Sequence, residues 1–377
     1  MMIPILRLQD YKSPEEQDKI FNEYAKNVIF LWNDVKSYLK HKEGEHKWQN
    51  LRYDCVKNLF DTFFISNNFD VRFLMQNFDF HKPILWYGGY YEKSYKFIKN
   101  FPFLRHRTYN RIDRLSIFGS KIDFAKLFSK YEWLPKTVFT REEAINGAVG
   151  FPLIAKCTTG HSGLGIKKFD TPQELASAPP TFKIPSKSDD GSMVEKQYDL
   201  FCQFVDFDME FRVFLFRDKV ISVNHRVDRI ENNVDIRSKD EKTKMNFEYV
   251  VLDKNKIPEW FYEQVQSIVA DIHPVSNSDV WSLDVCLEKR TNKLWVFECN
   301  NQTGLDALKA CLVYVNLYED YFDKELPQEF KDILTVRYII PMLKDLYKDC
   351  AVEIESSPWK IPYKEIISRK IKWNFFE

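Results

Sequence analysis

The chain has 377 residues, 44% of them hydrophobic, enough for a large core spread over two or three domains and too apolar for general disorder. Lysine plus arginine and aspartate plus glutamate both total 55, a formal net charge of zero. This excludes a protein whose main work is coating DNA or RNA, since phosphate binding needs a basic excess, while a local basic groove stays open.

No apolar run approaches the roughly 18 residues of a membrane helix, and MMIPILRLQDYKSPEE does not present the ordered regions of a signal peptide. The seven cysteines, at 55, 157, 202, 286, 299, 311 and 350, are odd in number and widely spaced, with no CxxC pair and no zinc spacing. The expectation is reduced thiols in a cytoplasmic setting.

Ser13-Pro14-Glu15-Glu16 is a capping box with proline at the first helical position. Apolar residues at Phe21, Tyr24, Val28, Leu31, Val35 and Tyr38 then predict one helix ending at Gly44. A second helix is predicted around Val56, Leu59, Phe60 and Phe63, and PILWYGGYY (83–91) reads as a buried strand stopped by Gly88-Gly89. A short helix follows on Phe124, Leu127 and Phe128, then a strand at 137–139 and a second capping box at Thr140 and Glu143. FPLIAK and GIKKF are strands on either side of a glycine loop, and MVEK and LFCQFV are extended. EFRVFLFRDKVISVNHRV (210–227) reads as strand–turn–strand, residues 258–272 as a helix, and VWSLDVCLEK with LWVFECNNQ as a strand pair turning near 291; the tail from about 313 is helical and aromatic.

Three of the chain's eleven glycines, Gly160, Gly163 and Gly165, fall within six positions, between Lys156 and the pair Lys167-Lys168. The spacing rules out three nucleotide loops. Ile166 stands where a P-loop needs its lysine, and G-x-x-G-x-G reverses the Rossmann and kinase orders. A strand–loop–strand flap fits, in which N–H groups without a neighbouring Cβ close on phosphate oxygens and Lys156 adds its ammonium. Taken alone, the loop also fits a glycine-rich hairpin with surface lysines. Downstream, Asp284 lies inside one apolar strand, and Glu298 and Asn300 lie two apart, on one face, at the end of the next. A hairpin near 291 brings them together, as a Mg²⁺ site for bound phosphate requires; singly, each also fits a polar residue capping a sheet.

Four segments in this order resemble the ATP-grasp superfamily, nearest its RimK/glutathione-synthetase-like ligases: GSKIDFAKLF…LPKTVF, FPLIAKCTTGHSGLGI, LFCQFV…MEFRVFLFRDKVISVNHR and SLDVCLEK…LWVFECNNQTGLD, covering roughly 115–310. The resemblance implies an α/β (α+β) ATP-grasp fold of two subdomains clamping ATP, preceded by a small α/β domain and followed by a helical extension. The corresponding division is 1–110, 111–205, 206–312 and 313–377. It implies that Lys121 and Lys156 reach ATP phosphates, and that Thr158, Gly160, His161, Ser162, Gly163 and Gly165 belong to the lid. By the same resemblance Gln203 and Phe204 would flank the adenine, and Asp206 or Asp208 would hold the ribose. It further implies that Arg212 and Arg226 serve catalysis and that Asp284, Glu298 and Asn300 bind Mg²⁺, two ions in all. The implied reaction is Mg²⁺-dependent carboxylate–amine ligation through an acyl phosphate, joining a carboxylate substrate to an amine on a small molecule or peptide. Two alternatives share the fold: an ATP-binding assembly chaperone and a phosphotransferase. The sequence departs from the family's pattern at Asn301-Gln302-Thr303, at Ser282 and at His161.

Overall fold

A computed structural model describes residues 12–32, 47–64, 76, 77, 79, 81–87, 99, 102–110, 120–158, 165–185, 192–228, 247–276, 278–300, 304–347, 375 and 376. The capping box forms as expected, with Ser13 and Glu16 bonding reciprocally at the start of α1 (Pro14–Tyr24). The helix does not run on to Gly44. Ala25 leaves helical geometry, Lys26 turns with φ 60, and the chain enters β1 (Ile29–Trp32), whose four residues are all buried. Val28 and Leu31 thus belong to a continuous apolar run that fits a strand covered on both faces, and such a run supplies helical spacing by coincidence. The second helix likewise stops early: α2 (Lys47–Leu59) precedes β2 (Asp61–Phe64), which takes Phe63. With β3 (Ile84–Tyr87) and β4 (Thr108–Tyr109) these strands form a parallel sheet in the order β2-β1-β3-β4.

A second, antiparallel sheet carries the glycine loop. Helix α3 (Lys121–Leu127) leads to β5 (Thr137–Val138), α4 (Arg141–Ile145), β6 (Leu153–Lys156) and β7 (Ile166–Phe169). Helix α5 (Pro172–Ser177) and a separate hairpin, β8 (Thr181–Pro185) with β9 (Met193–Gln197), come before β10 (Leu200–Gln203). The order is β5-β10-β6-β7, and Ala144, Leu153, Phe169, Leu175 and Phe201 form its core.

The third sheet is the platform of the site. It comprises β11 (Phe207–Phe216), β12 (Lys219–Asp228), β13 (Phe247–Val251), β14 (Val280–Glu288) and β15 (Leu294–Asn300), antiparallel in the order β13-β12-β11-β14-β15. Strand alternation decides what each face does. Phe211, Val213, Leu283 and Val285 pack on Phe261, Val265, Ile268 and Ile272 of α6 (Glu259–Ser276). Each such burial contributes about 1.5–3 kcal/mol. The intervening residues, Glu210, Arg212, Asn224, Arg226, Ser282 and Asp284, fall on the other face.

The chain then returns to the first sheet. Helices α7 (Ala307–Phe322), α8 (Gln328–Leu334) and α9 (Ile340–Tyr347), with a π-helical turn at Thr335–Ile339, share one core with β1, α1 and α2. Position 313 lies inside α7. A polar latch joins this body to the third sheet. Arg217, at φ 51 in the β11–β12 turn, pairs with Asp279 and Asp320, Tyr109 donates to Asp320, and the Asn110 N–H donates to Asp279. Among the described residues no helix is long and apolar enough to cross a membrane.

Candidate active site

Lys156 ends β6 and Lys121 opens α3, whose N-cap is Ser120. Both line a cleft between the second sheet and β15, together with Leu200, Cys202, Phe297 and Glu298. The Lys121 Nζ stands 3.4 Å from Glu298 Oε1, and the Lys156 Nζ lies 5.0 Å from the centre of the Phe297 ring. Residues more than 170 positions apart thus meet at one opening, lined by two lysines, a glutamate and apolar side chains.

Strand register explains the carboxylates. The β14–β15 hairpin sets Asp284 opposite Glu298 and Ser282 opposite Asn300, while β11 sets Arg212 opposite Asp284 from the other side. Two like charges facing each other on a sheet are unfavourable unless cations answer them. Here they do. Arg212 donates from Nε to Asp284 Oδ1 at 2.6 Å and from a terminal nitrogen to Oδ2 at 2.8 Å, and Asn300 Nδ2 donates to the same Oδ2 at 3.1 Å. One strand over, Arg226 donates to Glu210 Oε2 at 2.8 Å.

Glu210 retains 15% side-chain exposure, and burial pushes its carboxyl above the ordinary value of 4.5; Arg226 opposes the shift and Asp284 adds to it. A carboxyl raised in the folded state contributes stability that is fully present below its unfolded value and is lost as pH rises through the folded one. Glu210→Gln removes this titration. It also removes the ion pair between Arg226 and Glu210, an offset that costs stability at every pH. The expected result is that the stability of Glu210→Gln relative to the parent improves as pH rises from about 4 to about 7, read from urea midpoints; a relative stability that falls over this range contradicts the burial argument.

The loop is anchored at both ends. Thr158 donates from its N–H and its hydroxyl to Asp199, and the Cys157 N–H donates to the Gly165 carbonyl at 2.9 Å. Gly165 sits at φ +77, where an added Cβ would lie 2.9 Å from Cys157 Cβ and 3.3 Å from the Phe182 ring. This glycine is required by the neck of the hairpin, whatever the loop holds. Gly165→Ala is therefore expected to lower stability by about 1–2 kcal/mol, seen as a lower melting temperature. Gly160, His161, Ser162 and Gly163 lie outside the described residues.

The remaining expected residues are more scattered. Gln203 is exposed and its N–H donates to the Lys136 carbonyl at 2.8 Å, and the Lys168 ammonium stands 5.1 Å from the centre of the Phe204 ring. Asp206, 58% exposed, pairs with Lys289 at 3.0 Å, and Asp208 faces the same lysine at 3.7 Å; neither lines the cleft. Sequence reasoning missed Phe297 and Cys202 as lining residues. Both lie inside apolar runs, where a cleft-facing side chain leaves no mark.

The donor set suits a hard divalent cation. Asp284, Glu298 and Asn300 offer oxygen atoms from adjacent strands. Among the described residues no three His, Cys, Asp or Glu side chains gather as a complete metal cluster. A site of two carboxylates and an amide fits Mg²⁺, which keeps waters and shares its ligation with substrate phosphates.

No known family profile matches the sequence, and no curated protein matches it. Among solved structures, the chain is similar to D-alanine–D-alanine ligase from Bacillus anthracis (15% identity, 83% of this chain and 99% of that one, TM-score 0.47). It is also similar to the ATP-grasp ligase PsnB complexed with a minimal precursor (10% identity, 83% and 99%, TM-score 0.43). A third is N5-carboxyaminoimidazole ribonucleotide synthetase from Thermotoga maritima (12% identity, 80% and 77%, TM-score 0.47).

Proposed function

We propose that the chain is an ATP-dependent carboxylate–amine ligase of the ATP-grasp kind, acting through an acyl phosphate with Mg²⁺. One observation carries this reading: Lys121, Lys156 and Glu298 line a single cleft, with Asp284 beside Glu298 in register and Arg212 bonded to Asp284. The two lysines bind the phosphates of ATP, and the apolar wall of Leu200 and Cys202 receives the base. Asp284, Glu298 and Asn300 would hold Mg²⁺, which would neutralise charge on the phosphate oxygens. Arg212 and Arg226 lie next to this set, each paired with a carboxylate, and add the positive charge that steers the carboxylate accepting the γ-phosphoryl group. An amine then attacks the acyl phosphate and phosphate leaves. The loop from Thr158 to Gly165 covers the phosphates and keeps water from that intermediate.

The test is ADP release by ATP–Mg²⁺ with a panel of amino acids and other carboxylates, paired with mass detection of a new amide. Amide formation supports ligation; phosphorylated product alone supports a phosphotransferase; saturable ATP binding without turnover supports a binding protein. Lys156→Ala is expected to weaken ATP binding by about 1–3 kcal/mol, measured by calorimetry. Unchanged affinity in a folded variant removes Lys156 from the phosphate site.

A further inference from the structure

The carboxylates of the proposed metal site already have cationic partners. Asp284 is held by Arg212, Glu298 by Lys121 and neighbouring Glu210 by Arg226. The three carboxylates and three cations balance, and Lys156, which has no carboxylate partner among the described residues, leaves one positive charge over at the cleft. A free divalent cation therefore meets no net negative charge here, whereas a polyphosphate meets an excess of positive charge.

The pairs differ in how readily they open. Arg212 and Asp284 are joined by two bonds and are mostly buried, at 24% and 11% side-chain exposure, so this pair is costly to break. Lys121 and Glu298 are more exposed, at 28% and 35%, and meet by a single contact of 3.4 Å. A partly hydrated single-contact pair exchanges at little cost. Lys121 also has a second claim on its ammonium, since the ligase reading assigns it to phosphate.

We infer that Lys121 is an internal stand-in for the metal in the nucleotide-free protein: it neutralises Glu298 until arriving phosphates draw its ammonium away and release the carboxylate to a divalent cation. This rests on the ligase reading and adds a coupling to it. The movement that binds phosphate is the same one that opens the metal position, so nucleotide and metal bind with positive cooperativity, which linkage makes reciprocal. The device also guards the carboxylate pair. Glu298 opposite Asp284 stays neutralised without recruiting metal, and the metal arrives only where there is phosphate for it to act on.

The experiment measures Mn²⁺ binding by electron paramagnetic resonance and metal-free ADP binding by calorimetry. The proteins are the full-length parent, Lys121→Met, Lys121→Arg and, as a charge control, Lys126→Met. Lys126 lies on the same helix, with its ammonium 5.2 Å from the centre of the Phe139 ring. Lys121→Met is expected to bind Mn²⁺ alone at least about fivefold tighter than the parent, the lower end of ordinary coupling, and to bind ADP more weakly. Lys121→Arg is expected to keep the parent's weak Mn²⁺ binding, and Lys126→Met to change neither ligand by as much as twofold. Opposite shifts for metal and nucleotide in one variant are not a consequence of general destabilisation, and circular dichroism verifies folding. Unchanged or weaker Mn²⁺ binding in Lys121→Met overturns the inference, as does an equal gain in Lys126→Met. Failure of the parent to bind ADP or ATP under any condition counts instead against the ligase reading.

Discussion

Replacing Glu298 with glutamine is expected to leave ATP bound and to cut ADP production by at least about 10²-fold, the scale on which removal of one preorganised electrostatic group slows a reaction. Glutamine keeps the shape and one oxygen but removes the charge. Glu298 lies near the end of β15, faces Asp284 in register and lies 3.4 Å from Lys121, so in the ligase reading the lost charge sits where the transferring phosphoryl group and its cation meet. Binding persists because the lysines and the apolar wall of the cleft are untouched. Asp284→Asn is expected to act in the same direction and less severely, with a second effect: both of its oxygens accept from Arg212, so the guanidinium loses part of its anchor. Steady-state ADP release with calorimetric ATP affinity separates the two quantities. Parental turnover in Glu298→Gln at saturating Mg²⁺ assigns the carboxylate a purely structural role.

The legible parts of this fold share a physical property: they are local. The capping boxes at Ser13 and Thr140 need only the residues within one turn, and both form as read. The hairpin that sets Asp284 beside Glu298 follows from two alternating runs and a polar turn, with Asn292 at φ 56. The strand–loop–strand around the glycines was legible for the same reason. The helix predicted through Val28 and Leu31 fails because the deciding facts are distant. Ile29–Trp32 is a strand because β2 and β3 pair on both edges and both of its faces are buried, and none of these partners is visible in a ten-residue window. Short strands such as Thr108–Tyr109 and Asp61–Phe64 fall below any periodic signal. At the site, residue types announced themselves but pairings did not. Arg212 was identifiable as an arginine suited to phosphate, whereas its two bonds to Asp284 come from the β11–β14 register across more than 70 positions. Asp206 shows the converse. An acid just after β10 matches the expected pattern, and its pairing with Lys289 at the surface was not legible.

Phe330→Ala is expected to destabilise the whole protein by about 3–5 kcal/mol, as large aromatic truncations in a fully buried setting do. The residue is far from the cleft, in α8, and is 0% exposed. Its ring packs 6.0 Å from that of Phe21, 5.6 Å from Tyr24 and 6.2 Å from Tyr314, centre to centre, so it joins the C-terminal helices to the first helix of the chain. Beneath it, Tyr314 donates to the Tyr24 carbonyl and accepts from the Asn27 N–H, crossing the same boundary. The first sheet is parallel, and parallel sheets persist only with both faces covered. Helices α7 to α9 cover the face that carries Phe30 and Trp32, and Phe30, Phe60, Tyr314 and Phe330 belong to one core. A chain cut after residue 306 is therefore expected to lose cooperative unfolding in its first sheet, because that core would face water. Denaturant melts of Phe330→Ala test the first statement, and amide exchange of the truncated chain tests the second. A loss below about 1 kcal/mol in Phe330→Ala, the range of a surface substitution, contradicts the shared core. Protected amides in Ile29–Trp32 of the truncated chain would show that the first sheet stands without its C-terminal cover.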